Sequence, residues 1–175
     1  MKILITSIGV SGKSTFRKRL YALLSNIHNL IIFDFDLDYD RAKLPKIFEP
    51  DRIYILEDVH GPTKNAVFPL PQYDLIFYLL PDFWQHLRFW LKRMKIWFEN
   101  GNYAWDADIG EKGAWAGTDK PKDWANIPGI IKYFYRHFSK RNIHLKEDLE
   151  VLNRTVIPVI IVMPTKKQGY TFTRL

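Results

Sequence analysis

Cysteine is absent from all 175 residues of the chain. That absence excludes disulfides, a thiolate nucleophile and cysteine-ligated zinc together, and a reducing, cytoplasmic compartment is the expectation. Long apolar runs are lacking as well: nothing approaches the ~20 residues that a membrane-spanning helix requires. Lys2 is followed only by Ile3, Leu4 and Ile5 before Thr6 and Ser7, too short a stretch for a secretory leader, and no membrane partner is expected. Acidic residues are in short supply, 19 against 26 Lys plus Arg, which leaves a formal charge of +7. Such a balance points to an anionic partner, but nucleotides, nucleic acid and an anionic membrane would each satisfy the charge alone. Internal repeats and low-complexity tracts are missing too. With 47% hydrophobic residues, the chain can bury the core of one domain spanning 1–175.

What is present begins at residue 7. Ser7-Ile8-Gly9-Val10-Ser11-Gly12-Lys13-Ser14-Thr15 stands directly after the apolar run and directly before a helix-like segment. A buried strand ending in a glycine-containing turn lets backbone N–H groups converge on a polyphosphate, and the following helix adds the positive end of its dipole. Gly9, Val10, Ser11, Gly12, Lys13, Ser14 and Thr15 are the nucleotide-binding set, with Lys13 on the β/γ-phosphates and Ser14 on Mg²⁺. ATP and Mg²⁺ are the cofactors this reading predicts. The pattern G-x-x-x-x-G-K-[ST] is met at its last three positions, while Ser7 replaces its first glycine. A serine takes a positive φ only at a cost, so the loop is expected to be built differently, with Gly9 supplying part of the missing freedom. The bland alternative, a chance helix start with a serine cap, does not explain why strand, loop and helix come in the required order.

Further along, apolar runs alternate with amphipathic ones in the manner of a parallel sheet flanked by helices. The predicted strands are Lys2 to Thr6, Leu30 to Phe35, Ile53 to Leu56, Leu75 to Leu80 and Val156 to Val162, the last placed at an edge or shortened by Pro158. A first helix from Gly12 or Lys13 to about Asn26 should bury Phe16, Leu20, Leu23 and Leu24 and turn Arg17, Lys18 and Arg19 outward. A long helix from Asp82 to about Glu99, capped by Asp82, carries the stripe Phe83, Leu87, Trp90, Leu91, Met94, Trp97 and Phe98. Periodicity is lost over 101–127, and a loop of that length inside one domain reads as a lid, a binding element or a disordered stretch. A helical region over about 128–152, broken near Asn142, follows, and the tail from Pro164 to Leu175 reads as a basic loop.

In this layout the chain resembles the P-loop nucleotide and small-metabolite kinases, among them thymidylate, adenylate and shikimate kinases. The layout covers nearly the whole chain, while the sequence specificity lies in Gly12-Lys13-Ser14-Thr15. The resemblance implies an α/β, three-layer P-loop NTPase fold with a five-stranded parallel sheet flanked by helices, the phosphate loop at its centre and a lid-like insertion. It also implies transfer of the γ-phosphoryl group of ATP-Mg²⁺ to a small acceptor, a nucleoside monophosphate first among the candidates. The binding crevice of such sheets lies beyond the carboxyl ends of the strands.

Acids stand at those ends. In Asp34-Phe35-Asp36 the two-residue spacing points both carboxylates to one side. The motif is similar to the Asp-x-Asp of shikimate and related kinases, which implies that Asp36 and Asp34 hold the acceptor hydroxyl, taking its proton, or the metal-bound water. The alternative is a solvated acidic loop, to which Asp38 and Asp40 are assigned. Glu57-Asp58, after four apolar residues, resembles a Walker B element whose carboxylate contacts Mg²⁺. For the charge on the transferring group, the resemblance points to Arg88 and Arg93, with Lys92 read as solvated helix surface and Arg136, Lys140 and Arg141 in reserve. The lid-like segment itself carries Lys112, Lys120 and Lys122 and no arginine. Its aromatics, Tyr103, Trp105, Trp115 and Trp124, have two readings: stacking on a base or packing onto the domain. Two further classes therefore stay open, a nucleic-acid-directed P-loop enzyme and a nucleotide-binding regulatory or assembly protein without efficient catalysis.

Overall fold

A computed structural model describes residues 1–26, 30–34, 51–57, 61–62, 69–100, 127–166 and 169–175 of the chain. Its centre is β1 (Lys2–Thr6), which pairs in parallel with β3 (Ile53–Glu57) on one side and with β4 (Leu75–Leu79) on the other. β2 (Leu30–Asp34) lies outside β3, and β5 (Val159–Pro164) lies outside β4. A sixth strand, β6 (Tyr170–Arg174), closes the order β2-β3-β1-β4-β5-β6 and runs antiparallel to β5. Strands covered on both faces need no polar alternation, which is why β1, β3 and β4 read as near-continuous runs of Ile, Leu and Tyr.

Alternate residues of each strand feed two separate cores. Ile3 and Ile5 join Ile55, Leu79 and Val162 around Phe16 of α1 (Lys13–Leu24). Leu4, Tyr54, Leu56, Ile76 and Tyr78 face the other way, against Leu145 and Leu152 of α4 (Arg141–Asn153). The sheet thus carries a helix on each face. Within the second core, the Tyr78 hydroxyl donates to Asp148 Oδ2 at 3.0 Å, so a buried carboxylate on α4 is tied to β4. Burial, reinforced by that carboxylate, pushes the Tyr78 pKa well above its ordinary value.

Two more helices pack against each other, the first of them also against the loop that follows β1. α2 (Phe83–Asn100) opens with a reciprocal cap: the Gln85 N–H donates to Asp82 Oδ1 at 2.8 Å, and the Asp82 N–H donates to Gln85 Oε1 at 3.1 Å. α3 (Ile127–Phe138) packs against it through an aromatic seam, with Trp90 and Phe134 rings 5.7 Å apart and Phe83 and Phe138 rings 5.3 Å apart.

Several expectations are corrected. The tail is not a loop, because residues 170–174 pair with β5, and Tyr170 and Phe172 bring their rings against Phe16. Of the two effects expected from Pro158, the shortening holds, with β5 beginning at Val159, and the edge position does not, because β6 pairs outside β5. In α1, Phe16 is buried and Lys18 and Arg19 are exposed as expected, but Leu23 is exposed and Arg17 is buried, against expectation. Phe83 and Leu91 are each about half exposed, so they lie at the margin of the stripe expected of α2. The helical region is broken as expected, at Ser139 and Lys140, just before Asn142. The lid-like segment lies outside the described residues, apart from Ile127, which begins α3.

Candidate functional site

Five parallel strands bring Thr6, Asp34, Glu57, Leu79 and Pro164 to one edge of the sheet. From β1 the chain goes to the β2–β3 side and later returns to β4 on the other, so the order reverses at β1 and β4. Crevices of open α/β sheets form outside such a reversal. The segment Ser7 to Gly12 leaves β1 at that point and leads directly into α1.

The backbone of this loop is unusual at two residues. Val10 has φ 56° and Gly12 has φ 92°. For glycine the left-handed region is free of steric cost, whereas for a β-branched valine it is an outlier worth about 1–3 kcal/mol of strain. Neither Ser7 nor Gly9 has a positive φ, so the freedom expected at those positions is used instead at Val10 and Gly12. Ser7 has another task. Its side chain is buried and its hydroxyl donates to the Leu79 carbonyl, tying the end of β1 to the end of β4. A glycine could not make that tie. Ser11 Oγ is buried in the same loop with no hydrogen-bond partner among the described residues.

Lys13 and Ser14 open α1, with Gly12 as its cap in the left-handed conformation and no side chain capping the helix. The N–H groups of Thr15 and Phe16 already donate to the Gly12 carbonyl, each at 3.1 Å. Lys13 is buried. Ser14 Oγ donates to Glu57 Oε1 at 2.8 Å, bringing the predicted metal pair together across two elements. Arg17, one helical turn beyond Ser14, places Nε 3.1 Å from Glu57 Oε2, and both side chains are buried. One carboxylate therefore receives a hydroxyl and a guanidinium from the same face of α1.

α2 lies against the other side of the loop. His86 Nε2 is 2.8 Å from the Gly9 carbonyl oxygen, a ring atom of Phe89 is 3.3 Å from where a Cβ on Gly12 would stand, and Val10 packs on Trp90. Burial lowers the His86 pKa to about 4, so the ring is neutral at neutral pH and has one N–H. Trp90 Nε1 also approaches Nε2, at 3.1 Å, and the single nitrogen cannot both donate to Gly9 and accept from Trp90. The shorter contact to a carbonyl decides for a proton on Nε2. Nδ1, buried without a hydrogen-bond partner among the described residues, would be a worse place for it.

Of the other predicted residues, Arg93 lies seven residues beyond His86 and four beyond Phe89, on the side of α2 that meets the loop, and is half-buried. Arg88 lies on the opposite, exposed side with Trp84 and Lys92. The structure does not bring these two arginines to one place. Arg136 and Lys140 are exposed, while Arg141 donates from Nη2 to the Pro81 carbonyl at 2.7 Å, just past β4. Asp34 ends β2 in register with Glu57. Asp36 and Asp58 lie outside the described residues. Sequence reasoning missed Arg17 and His86. Each carried a signal: Arg17 is at helical spacing from Lys13 and Ser14, and His86 sits one turn before Trp90 on a buried face.

Compared with known proteins, the chain matches no protein-family model and no curated sequence. No group of three or more His, Cys, Asp or Glu side chains suited to a metal occurs among the described residues. No described helix is long and apolar enough to cross a membrane.

Proposed function

We propose that the chain is an ATP-Mg²⁺-dependent phosphotransferase of the P-loop kinase type, acting on a small acceptor such as a nucleoside monophosphate. The observation that carries this reading is the meeting of Ser14 with Glu57 directly after a positive-φ loop that ends in a buried lysine. A polyphosphate needs convergent donors and a cation, and a phosphate-bound magnesium needs hard oxygen ligands near them. The residues fit both groups: Lys13, the loop N–H groups and the unpartnered Ser11 hydroxyl would hold the phosphates, and Ser14 with Glu57 would face the metal. When bound, ATP-Mg²⁺ supplies the phosphoryl group and neutralises charge on it. Arg93 is the better placed of the two arginines for the remaining charge, and Asp36 with Asp34 are the proposed acceptor-side carboxylates. The five-strand parallel arrangement with the loop at its centre supports the same fold assignment.

A second reading, action on nucleic acid, is favoured by one observation: the exposed side of α2 carries Trp84, Arg88, Lys92 and Lys95 together. Binding that weakens steeply with salt on an oligonucleotide, with no turnover of nucleoside monophosphates, would choose it.

The deciding experiment measures MgATP binding and ADP release over a panel of nucleoside monophosphates and small hydroxy metabolites. Lys13→Ala should weaken MgATP binding about a hundredfold, because it removes a charge-assisted contact to the phosphates. Ser14→Ala should lower the magnesium dependence of binding. A folded Lys13→Ala chain with unchanged affinity and turnover sinks the proposal.

A further inference from the structure

The loop that the proposed function assigns to phosphate is gripped from outside by α2, and that grip sets which way a peptide group faces. The Gly9–Val10 peptide is trans and planar, so its C=O and N–H point in opposite directions. The carbonyl is held by His86 Nε2 at 2.8 Å, on the α2 side. The Val10 N–H is therefore turned away from α2. Were this peptide to flip, a carbonyl oxygen would face the space where an anion needs a donor. A flip is a real alternative, because Val10 is strained at φ 56° and Gly9 has open space around its Cα, with nothing within 4 Å of an added Cβ.

From this geometry we infer that His86 is a positioning residue for phosphate recognition, its Nε2–H fixing the Gly9–Val10 peptide so that the Val10 N–H serves as a phosphate donor. It touches no substrate and acts through the loop backbone. The surroundings leave it little choice of pose. Its ring is buried, its centroid lies 5.3 Å from that of Phe138 on α3, and Trp90 closes on the same nitrogen. Val10 is held at the same time by packing on Trp90, so α2 grips the two residues flanking one peptide bond, by a hydrogen bond on one and an apolar contact on the other. The inference rests on the phosphate-site reading, and the experiment separates the two.

The test uses the full chain with MgADP and inorganic pyrophosphate as probes. Nitrogen-15 spectra of the His86 ring should show the Nε2–H tautomer, and the Val10 amide should shift on addition of either probe. His86→Leu, which keeps bulk and loses the donor, should weaken MgADP binding about ten- to a hundredfold. His86→Gln, which restores a donor near the Nε2 position, should recover affinity to within about threefold of the wild type. A merely structural role would not separate Gln from Leu at equal thermal stability. A ring protonated at Nδ1, a Val10 amide indifferent to both probes, or a His86→Leu chain that binds MgADP like the wild type overturns the inference. Should His86→Leu fail to fold, the ring tautomer and the Val10 amide decide on the wild-type protein. A wild-type chain that binds neither MgADP nor pyrophosphate removes the phosphate site and this inference together. Loss of binding in Lys13→Ala without loss in His86→Leu removes only the inference.

Discussion

Gly61 and Gly9 show how differently two residues of one type can be constrained. Gly61 has φ 90°, and a Cβ placed on it would stand 2.8 Å from Asp148 Oδ2 and 3.1 Å from Oδ1. Asp148 cannot retreat, since it is buried and accepts the Tyr78 hydroxyl. Gly61→Ala thus meets strain and a clash at once, and should destabilise the fold by about 1–3 kcal/mol, read as a lower denaturant midpoint at unchanged slope. Gly9→Ala meets nothing within 4 Å and needs no positive φ, so its effect on stability should stay below about 1 kcal/mol. Equal midpoints for the two variants would contradict this account of Gly61. Arg17 teaches a related lesson about charge. A guanidinium on the buried side of a helix is tolerated because Glu57 lies 3.1 Å away, and Glu57 is tolerated in turn by Ser14 and Arg17 together.

At the scale of elements, α2 is held by an apolar seam on one side and by the His86 contact to the loop on another, and burial of the neutral His86 ring makes this second side sensitive to acid. The folded His86 pKa of about 4 lies below the ordinary 6.5, so between these values the unfolded chain takes up a proton that the folded chain refuses. Stability from this group is present above about pH 6.5 and lost as pH falls toward 4, up to about 2–3 kcal/mol. Urea unfolding of wild type and His86→Gln at about pH 7 and pH 4.5 checks it, since carboxylates titrate alike in both chains. The wild type should lose more stability on acidification. Identical losses would mean that the ring is not held neutral.

Elements were legible in the sequence wherever one physical signal dominated. The strands at Lys2, Ile53 and Leu75 stand out because a strand covered on both faces must be apolar throughout, the strand at Leu30 because its run is continuously apolar, and the helix after Pro81 because Asp82 caps it. The tail hid its strand: Tyr170 and Phe172 alternate with Thr171 and Thr173, but Lys166, Lys167 and Arg174 give it the charge of a loop. In the site, Ser14 and Glu57 were paired by motif and strand end. Arg17 and His86 were not, because a buried polar side chain looks like a surface one until its partner is known. Those partners, Glu57 and the Gly9 carbonyl, are far away in the chain.

For the whole molecule, the strand order has a consequence in time. Each parallel pair joins distant segments: Lys2 stands beside Tyr54, Ile3 beside Leu75, and Ile76 beside Val159. Among the described residues, β5 and β6 are the paired strands with the shortest stretch of chain between them, with Pro164 beside Tyr170. Closing a long loop costs entropy before its contacts are gained, so non-local pairings form slowly, over roughly milliseconds to seconds in domains of mixed type. The β5–β6 hairpin should be among the first structure to form, and β1 should lock only when both β3 and β4 have arrived. Refolding kinetics of Phe172→Leu and Ile5→Val check the sequence of events. The first should mainly slow folding and the second mainly speed unfolding; the reverse pattern would place β1 in the nucleus. The strand written first is thus fixed among the last, and the strained turn at Val10, which cannot be held until β1 is seated and α2 lies over it, becomes the molecule's own marker of completed folding.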